Sequence, residues 1–347
     1  MGETIYRIRT GDFAVVESKT GKGWKKSHRK FPEAMNVAKL FKAHKNLRLI
    51  KDSKSPKFLK GNYSWGEPRG ARINFLPNGE KLNKAYSLFA PQLVVHDETS
   101  NLHWDVIYQN PNGNFAYLYT EMKIKKSSIK KFATVEEFDK CLPRLKKNLS
   151  KNLRKDPIVL PMIILLKTKM RVGNEMHYLH TRHKGLTTLK KKNIKISGNN
   201  VTFRFIAKDG VPLTLVEKFS LNEINELRKL LKTKKENDFV FVNSSGRPLK
   251  DIAFEKAFDK YCGKKFYPHI VRSHYATMEA KKFLKKHKFA TKQETKKLYM
   301  DIADKLGHRK FSKKKNEWLD AYEVTLHHYI QPEIVEEISK ITKELGE

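Results

Sequence analysis

The apolar residues of this chain change their spacing part-way along it, and that change limits the folds open to it more than any other feature. From about Ile73 they alternate, as in QLVVHD, LHWDVIY and FAYLYTEM, with Asn110-Pro111-Asn112-Gly113 placed as a hairpin turn. From Thr134 onward they recur every three or four residues, at Phe138, Leu142, Leu145, Leu149 and Leu153. That spacing lines one face of a helix. Thr134-Val135-Glu136-Glu137 reads as the capping box that starts it. The lysine-rich KIKKSSIKKF just before, residues 123–132, reads as a solvated linker. A chain of 347 residues has room for two domains at ~100–200 residues each. The pattern predicts a β-rich domain over 1–128 and a mainly α-helical one over 129–347.

Finer features follow from the same signals. A helix is predicted over Phe31–His44, and a second over Ile158–Lys169 that delivers Arg171 at its C-terminal end. Three short strands are expected in LTTLKKKNIKIS, NVTFRFIAKDG and VPLTLVEKFS, turned by Gly198-Asn199-Asn200 and Asp209-Gly210. Helices should then cover Leu221–Leu231, Lys250–Tyr261, Val271–His287 and Thr291–Leu306. A last amphipathic one, EIVEEISKITKELGE, follows Pro332. The fold class is α+β, the second domain carrying a small three-stranded sheet.

Lysine and arginine number 72 against 37 acidic residues, a net charge of +35. Such a field attracts polyanions, while 39% hydrophobic and 11% aromatic residues supply buried cores. Two cysteines, Cys141 and Cys262, are too few for a disulfide framework and lack metal-ligand spacing, so a reducing, intracellular setting is expected. The longest apolar run, Ile158 to Leu166, is too short to span a bilayer and holds Pro161. The N-terminus lacks a signal-peptide hydrophobic region. No G-x-x-x-x-G-K-[ST] string occurs, which removes the usual P-loop signature.

Cutting a nucleic-acid strand without metal or nucleotide needs a particular set of groups. A tyrosine oxygen attacks phosphorus, arginines and a histidine hold the nonbridging oxygens as charge builds, and a lysine or arginine protonates the departing 5′-oxygen. The sequence holds that set in order: Arg171 in RVGNE, followed by KGLTTL; Lys208 in FIAKDGV; Arg272 in HIVRSHYAT; His308 in KLGHRK; Tyr329 in LHHYIQPEI. Each alone has a duller role: a helix-end arginine capping carbonyls, a solvated turn lysine, a core aromatic with a bonded hydroxyl. Together, inside these strings, they read as a site.

Over roughly residues 134–335 these strings resemble the compact, poxvirus-like branch of the type IB DNA topoisomerases, within the tyrosine recombinase and topoisomerase superfamily. The resemblance implies that Arg171, Lys208, Arg272, His308 and Tyr329 are the catalytic five. It implies a two-domain clamp on double-stranded DNA, a 3′-phosphotyrosyl intermediate resealed by the freed 5′-hydroxyl, and no ATP, cofactor or obligatory metal. It also suggests a monomer from a large DNA virus, at work in the virion, viral factory or host nucleus. Three departures stand out. Ala207 replaces the usual glycine before Lys208. The segment RKFSKKKNEWLDAYEVTLHH between His308 and Tyr329 is longer than in compact members and very basic, and reads as an extra DNA-facing loop; it contains Tyr322, the runner-up nucleophile. His269 is spaced from Arg272 as in tyrosine recombinases, where topoisomerases commonly have lysine, so a site-specific recombinase is the alternative, with a non-catalytic DNA-binding descendant behind it. His177, His180 and His183 lack an acidic or cysteine partner for a metal. His96-Asp97 and His103-Trp104-Asp105 read as alternating sheet residues, not a phosphoesterase group.

Overall fold

The computed structural model describes residues 3–96 and 104–343. Asp97 and His103 of the two His/Asp pairs, and the last four residues of the C-terminal helix expected after Pro332, lie outside the described residues. The chain divides into two compact units, Met1–Lys130 and Lys131–Glu347.

In the first unit β1 (Ile5–Ile8), β2 (Val15–Ser18), β3 (Lys25–Lys26), β4 (Asn62–Ser64) and β5 (Glu67–Arg69) form one sheet in the order β3-β2-β1-β4-β5. Strands β6 (Ile73–Phe75) and β7 (Lys81–Tyr86) pair with each other, and β8 (Val94–Val95), β9 (Val106–Gln109) and β10 (Phe115–Leu118) make a third sheet in the order β10-β9-β8. The helix predicted at Phe31 is α1 (Pro32–Ala43): Pro32 opens it, where its missing N–H costs nothing, and it buries Ala34, Val37, Ala38 and Phe41. That stripe packs with Ile8, Ile50, Leu59, Ile73 and Tyr86 into the unit's core.

Two expectations fail at the start of the helical half. Helix α2 runs unbroken from Glu121 to Asn152, so residues 123–132 are helix and not linker, and Thr134 lies inside it rather than at its start. Lysine is a good helix former and no glycine or proline interrupts 121–134; Phe132, Val135 and Phe138 then continue one buried stripe. Helix α3 (Val159–Thr168) buries every residue from Val159 to Leu166, as a helix apolar all round must. The short α4 (Glu175–Thr181) follows. Leu186–Thr188, expected to begin a strand, forms a single 3-10 turn instead. The three-stranded antiparallel sheet is β11 (Ile194–Ser197), β12 (Asn200–Ile206) and β13 (Pro212–Lys218).

Helices α5 (Leu221–Lys232), α6 (Asp251–Cys262) and α7 (Ile270–Lys286) come next. After β14 (Ala290–Thr291), α8 (Lys292–Leu306) starts on a capping box, Thr291 accepting from the Glu294 N–H at 3.1 Å, and stops at left-handed Gly307. The basic segment beyond His308 is no open loop. It folds as an antiparallel hairpin, β15 (Arg309–Ser312) with β16 (Glu317–Asp320). The described residues end in α9 (Glu323–His328), α10 (Pro332–Ile341) and β17 (Thr342–Lys343), which pairs in parallel with β14. A larger core gathers α2, α3, α6 and the three-stranded sheet; a smaller one gathers α8 and α10 with Tyr329 and Ile330. Helix α7 contributes to both, Val271 to the first and Ala276 and Ala280 to the second.

Candidate active site

The strings RVGNE and KGLTTL are two sides of one backbone joint. Gly173 is left-handed, at φ 99, and lies against Gly185. A methyl group on Gly185 would sit 2.6 Å from both the Arg171 carbonyl oxygen and the Gly173 nitrogen, so no side chain fits there. The Leu186 N–H donates to Arg171 O at 2.8 Å and the Thr187 N–H to Val172 O at 2.7 Å. The two buried threonines complete the joint: Thr187 donates its hydroxyl to Val172 O at 3.0 Å, and Thr188 accepts from the Gly185 N–H at 2.9 Å. Asn174 caps α4, accepting from the His177 N–H at 3.0 Å, and Glu175 pairs with Arg247 at 3.1 Å, leaving Arg171 free of it. The glycines and threonines of the motif fix where Arg171 leaves the backbone.

Arg272, on the first turn of α7, is 2% exposed. Its guanidinium donates to Lys169 O at 2.6 Å, to Leu306 O at 2.8 Å and to His308 Nε2 at 3.0 Å. Burial and the neighbouring Arg171 charge push its pKa down to about 10, still cationic at neutral pH. Its Nε–H, also buried, has no partner. An arginine this deep holds its charge only because carbonyl dipoles replace water.

His308 follows the Gly307 cap and is 7% exposed. Burial, then Arg272 and Arg171, push its pKa down to about 3. The ring is neutral, and the bond from Arg272 assigns the lone pair to Nε2. The Nδ1–H then donates to Thr325 Oγ1, 2.7 Å away. A threonine hydroxyl can also donate, so Thr325 can serve the opposite tautomer, with the proton on Nε2, once Arg272 turns from that nitrogen to the phosphate.

Tyr329 closes α9, its ring in the smaller core and 4% exposed. Arg171 Nη2 donates to its hydroxyl at 3.3 Å. The Arg272 guanidinium carbon lies 5.3 Å from the ring centre and the His308 ring 4.7 Å. Thr277 fixes the backbone by donating to Tyr329 O at 3.2 Å. Tyr322, by contrast, stacks on Tyr299 at 5.7 Å. Lys208 stands exposed on the turn between β12 and β13. It lines, with Arg171 and Arg272, a cleft of about 280 Å³ that His177, His183, Lys184 and His269 also border. All five residues singled out in the sequence are thereby in one neighbourhood of the second unit.

A sequence model of the family described as eukaryotic DNA topoisomerase I, catalytic core, matches residues 120–338. The chain belongs to that family. It is similar to the DNA topoisomerase 1B of Acanthamoeba polyphaga mimivirus, 28% identical over 145 residues, which are 40% of this chain and 43% of that protein. It thus spans less than half the length of that relative. Two structures of the XerH site-specific recombinase are also similar, each over 49% of this chain and 45% of theirs. They are the difH pre-cleavage complex (18% identity, TM-score 0.35) and the palindromic difH post-cleavage complex (17%, 0.34).

Within this topoisomerase core, several neighbours of the five residues carry no sequence signal. Lys131, in the lysine-rich stretch that reads as a linker, donates to His328 O and lies 5.6 Å from the Tyr329 ring centre. Thr325 looks like any helix threonine until His308 is seen bonded to it. His269 does carry a signal, its spacing from Arg272. Its ring lies 5.2 Å from that of Tyr329. Burial, followed by Arg272, Arg171, Lys131 and Lys208, pushes its pKa down to about 3.

Proposed function

We propose that this chain acts as a type IB DNA topoisomerase. It relaxes supercoiled duplex DNA by nicking one strand, allowing rotation and resealing the nick, through a 3′-phosphotyrosyl intermediate and without ATP or an obligatory metal. Tyr329 gives its phenolic proton to water, its oxygen attacks phosphorus, and the bond to the 5′-oxygen breaks. Lys208 donates a proton to that oxygen. Arg171 and Arg272 hold the nonbridging oxygens, and His308 donates to one of them once its proton sits on Nε2. The observation that carries this reading is the Tyr329 hydroxyl held by Arg171 at 3.3 Å with Arg272 against its ring. Residues 1–128 are assigned the second grip on the duplex, as part of a clamp formed by a monomer. With a mimivirus relative, the setting we assign is a virion, viral factory or infected nucleus.

Plasmid relaxation with EDTA and without ATP tests the proposal. The chain should yield relaxed topoisomers, Tyr329→Phe should yield none, and Tyr322→Phe should remain active. Relaxation retained by Tyr329→Phe would sink the assignment. The recombinase alternative is favoured by one feature, His269 bordering the cleft three residues before Arg272. It predicts joining between partner sites instead of relaxed single plasmids.

A further inference from the structure

The turn that carries Lys208 has little to hold it. Asp209 and Gly210 are both left-handed, at φ 63 and 83, and Lys208 and Asp209 are exposed. Its own hydrogen bonds are few: Gly210 N–H to Ala207 O at 3.1 Å, Ala207 N–H to Val211 O at 2.7 Å, and a long one from Val211 N–H to Lys208 O at 3.5 Å. A proton donor on such a tip would sweep a wide volume, whereas proton transfer needs its heavy atoms within roughly 3 Å.

The hairpin β15–β16 lies next to the tip. Trp318 on β16 faces Phe311 across the pair, their rings 5.3 Å apart, and packs on the larger core. A methyl group placed on Gly210 would meet Trp318 Cζ2 at 3.7 Å and His183 Nε2 at 3.8 Å, so both side chains border the turn at Gly210. The next strand is anchored to the same region: Leu213 on β13 packs so closely on Gly307 that a methyl group there would lie 2.6 Å from Leu213 Cδ1. The hairpin thus starts beside His308 and sets Trp318 of its second strand near the lysine turn.

We infer that Trp318 is a positioning residue for Lys208, and that the hairpin between His308 and Tyr329 braces the proton donor. The inference rests on the reading of Lys208 as the acid. In the cleavage step the Tyr329 O–P bond forms as the P–O5′ bond breaks, and the electron pair left on the 5′-oxygen takes a proton from the Lys208 ammonium. If sulfur replaces that bridging oxygen, the pair stays on a 5′-thiolate, a far weaker base that leaves without a proton.

Single-turnover cleavage of a duplex oligonucleotide, with oxygen or sulfur at the bridging 5′ position, separates placement of the acid from general damage. Trp318→Ala in the full chain should slow cleavage of the oxygen substrate by about tenfold to a hundredfold, the cost of misplacing a catalytic group by about 1 Å. It should cleave the sulfur substrate at close to the unsubstituted rate. Trp318→Phe should recover most of the loss, and Trp318→Ala added to Lys208→Ala should slow cleavage no further. Equal slowing by Trp318→Ala on both substrates, with Lys208→Ala rescued by sulfur, overturns this inference alone. Equal slowing by Lys208→Ala on both substrates removes the acid role of Lys208 and this inference with it. Should Trp318→Ala melt below the assay temperature, Trp318→Leu is put to the same pair of substrates.

Discussion

Acidification from about pH 7 to about pH 5 should destabilise the second unit through His308, and the sign follows from linkage. An exposed histidine titrates near 6.5, whereas burial beside Arg272 and Arg171 holds His308 down to about 3. Between those values the unfolded chain takes a proton that the native site refuses. Stability therefore falls as pH drops through 6.5 and stops falling, for this group, only near 3. At about pH 5 the unfolded ring is almost fully protonated and the native ring almost fully neutral, a difference of about 1.5 pH units or ~2 kcal/mol. His269 lies under the same charges and adds a coupled contribution of the same sign. Urea unfolding at the two pH values, for the unsubstituted chain and for His308→Asn, isolates the effect. The unsubstituted chain should lose about 2 kcal/mol more than the variant. A difference within about 0.5 kcal/mol, the usual scatter of surface substitutions, or an NMR titration of the folded His308 ring near its ordinary value, would refute the reasoning.

Gly185→Ala must push apart the backbones of Arg171 and Gly173, 2.6 Å from the new methyl group; we expect a loss of about 1–3 kcal/mol of stability, as for other overpacked sites, read by thermal melting, together with loss of relaxation. Arg272→Ala should lower stability by about 2 kcal/mol or more, since it leaves the buried carbonyls of Lys169 and Leu306 unpaired. Arg171→Ala, half-buried, should abolish cleavage with much less effect on melting. Replacing Lys313, Lys314 and Lys315 at the hairpin tip by alanine should weaken DNA binding evenly across sequences. It should flatten the plot of log affinity against log salt by about 0.9 for each phosphate that the lysines neutralise, measured by fluorescence anisotropy.

The elements legible in the sequence are those with punctuation. Thr291 and Gly307 bracket α8 in the string as in the fold, Pro32 opens α1, and Asp209-Gly210 marks the turn that carries Lys208. The first half of α2 has no such marks. Its lysines and Ser127-Ser128 show no apolar stripe, and its helical state follows from continuity with Phe132 and Val135. Leu186–Thr188 reads as the start of a strand because threonine is β-branched, but both threonine hydroxyls bond main chain and the stretch closes as a 3-10 turn. The order of the five site residues could be read, but not their environment. Arg272 is bound by main-chain oxygens 103 and 34 positions away, and any residue could have supplied those oxygens, so the string carries no trace of them.

Arg272 joins three stretches of chain that are otherwise separate: the end of α3, the start of α7 and the end of α8. Once the chain has collapsed around it, water can no longer reach the guanidinium to stand in for those carbonyls. The cation must therefore be installed as these segments come together, and cannot be added to a finished scaffold. Lineages that lose the cutting reaction would be expected to discard Tyr329 or Lys208 readily and to keep Arg272 longest, as a fastening with its original chemistry gone.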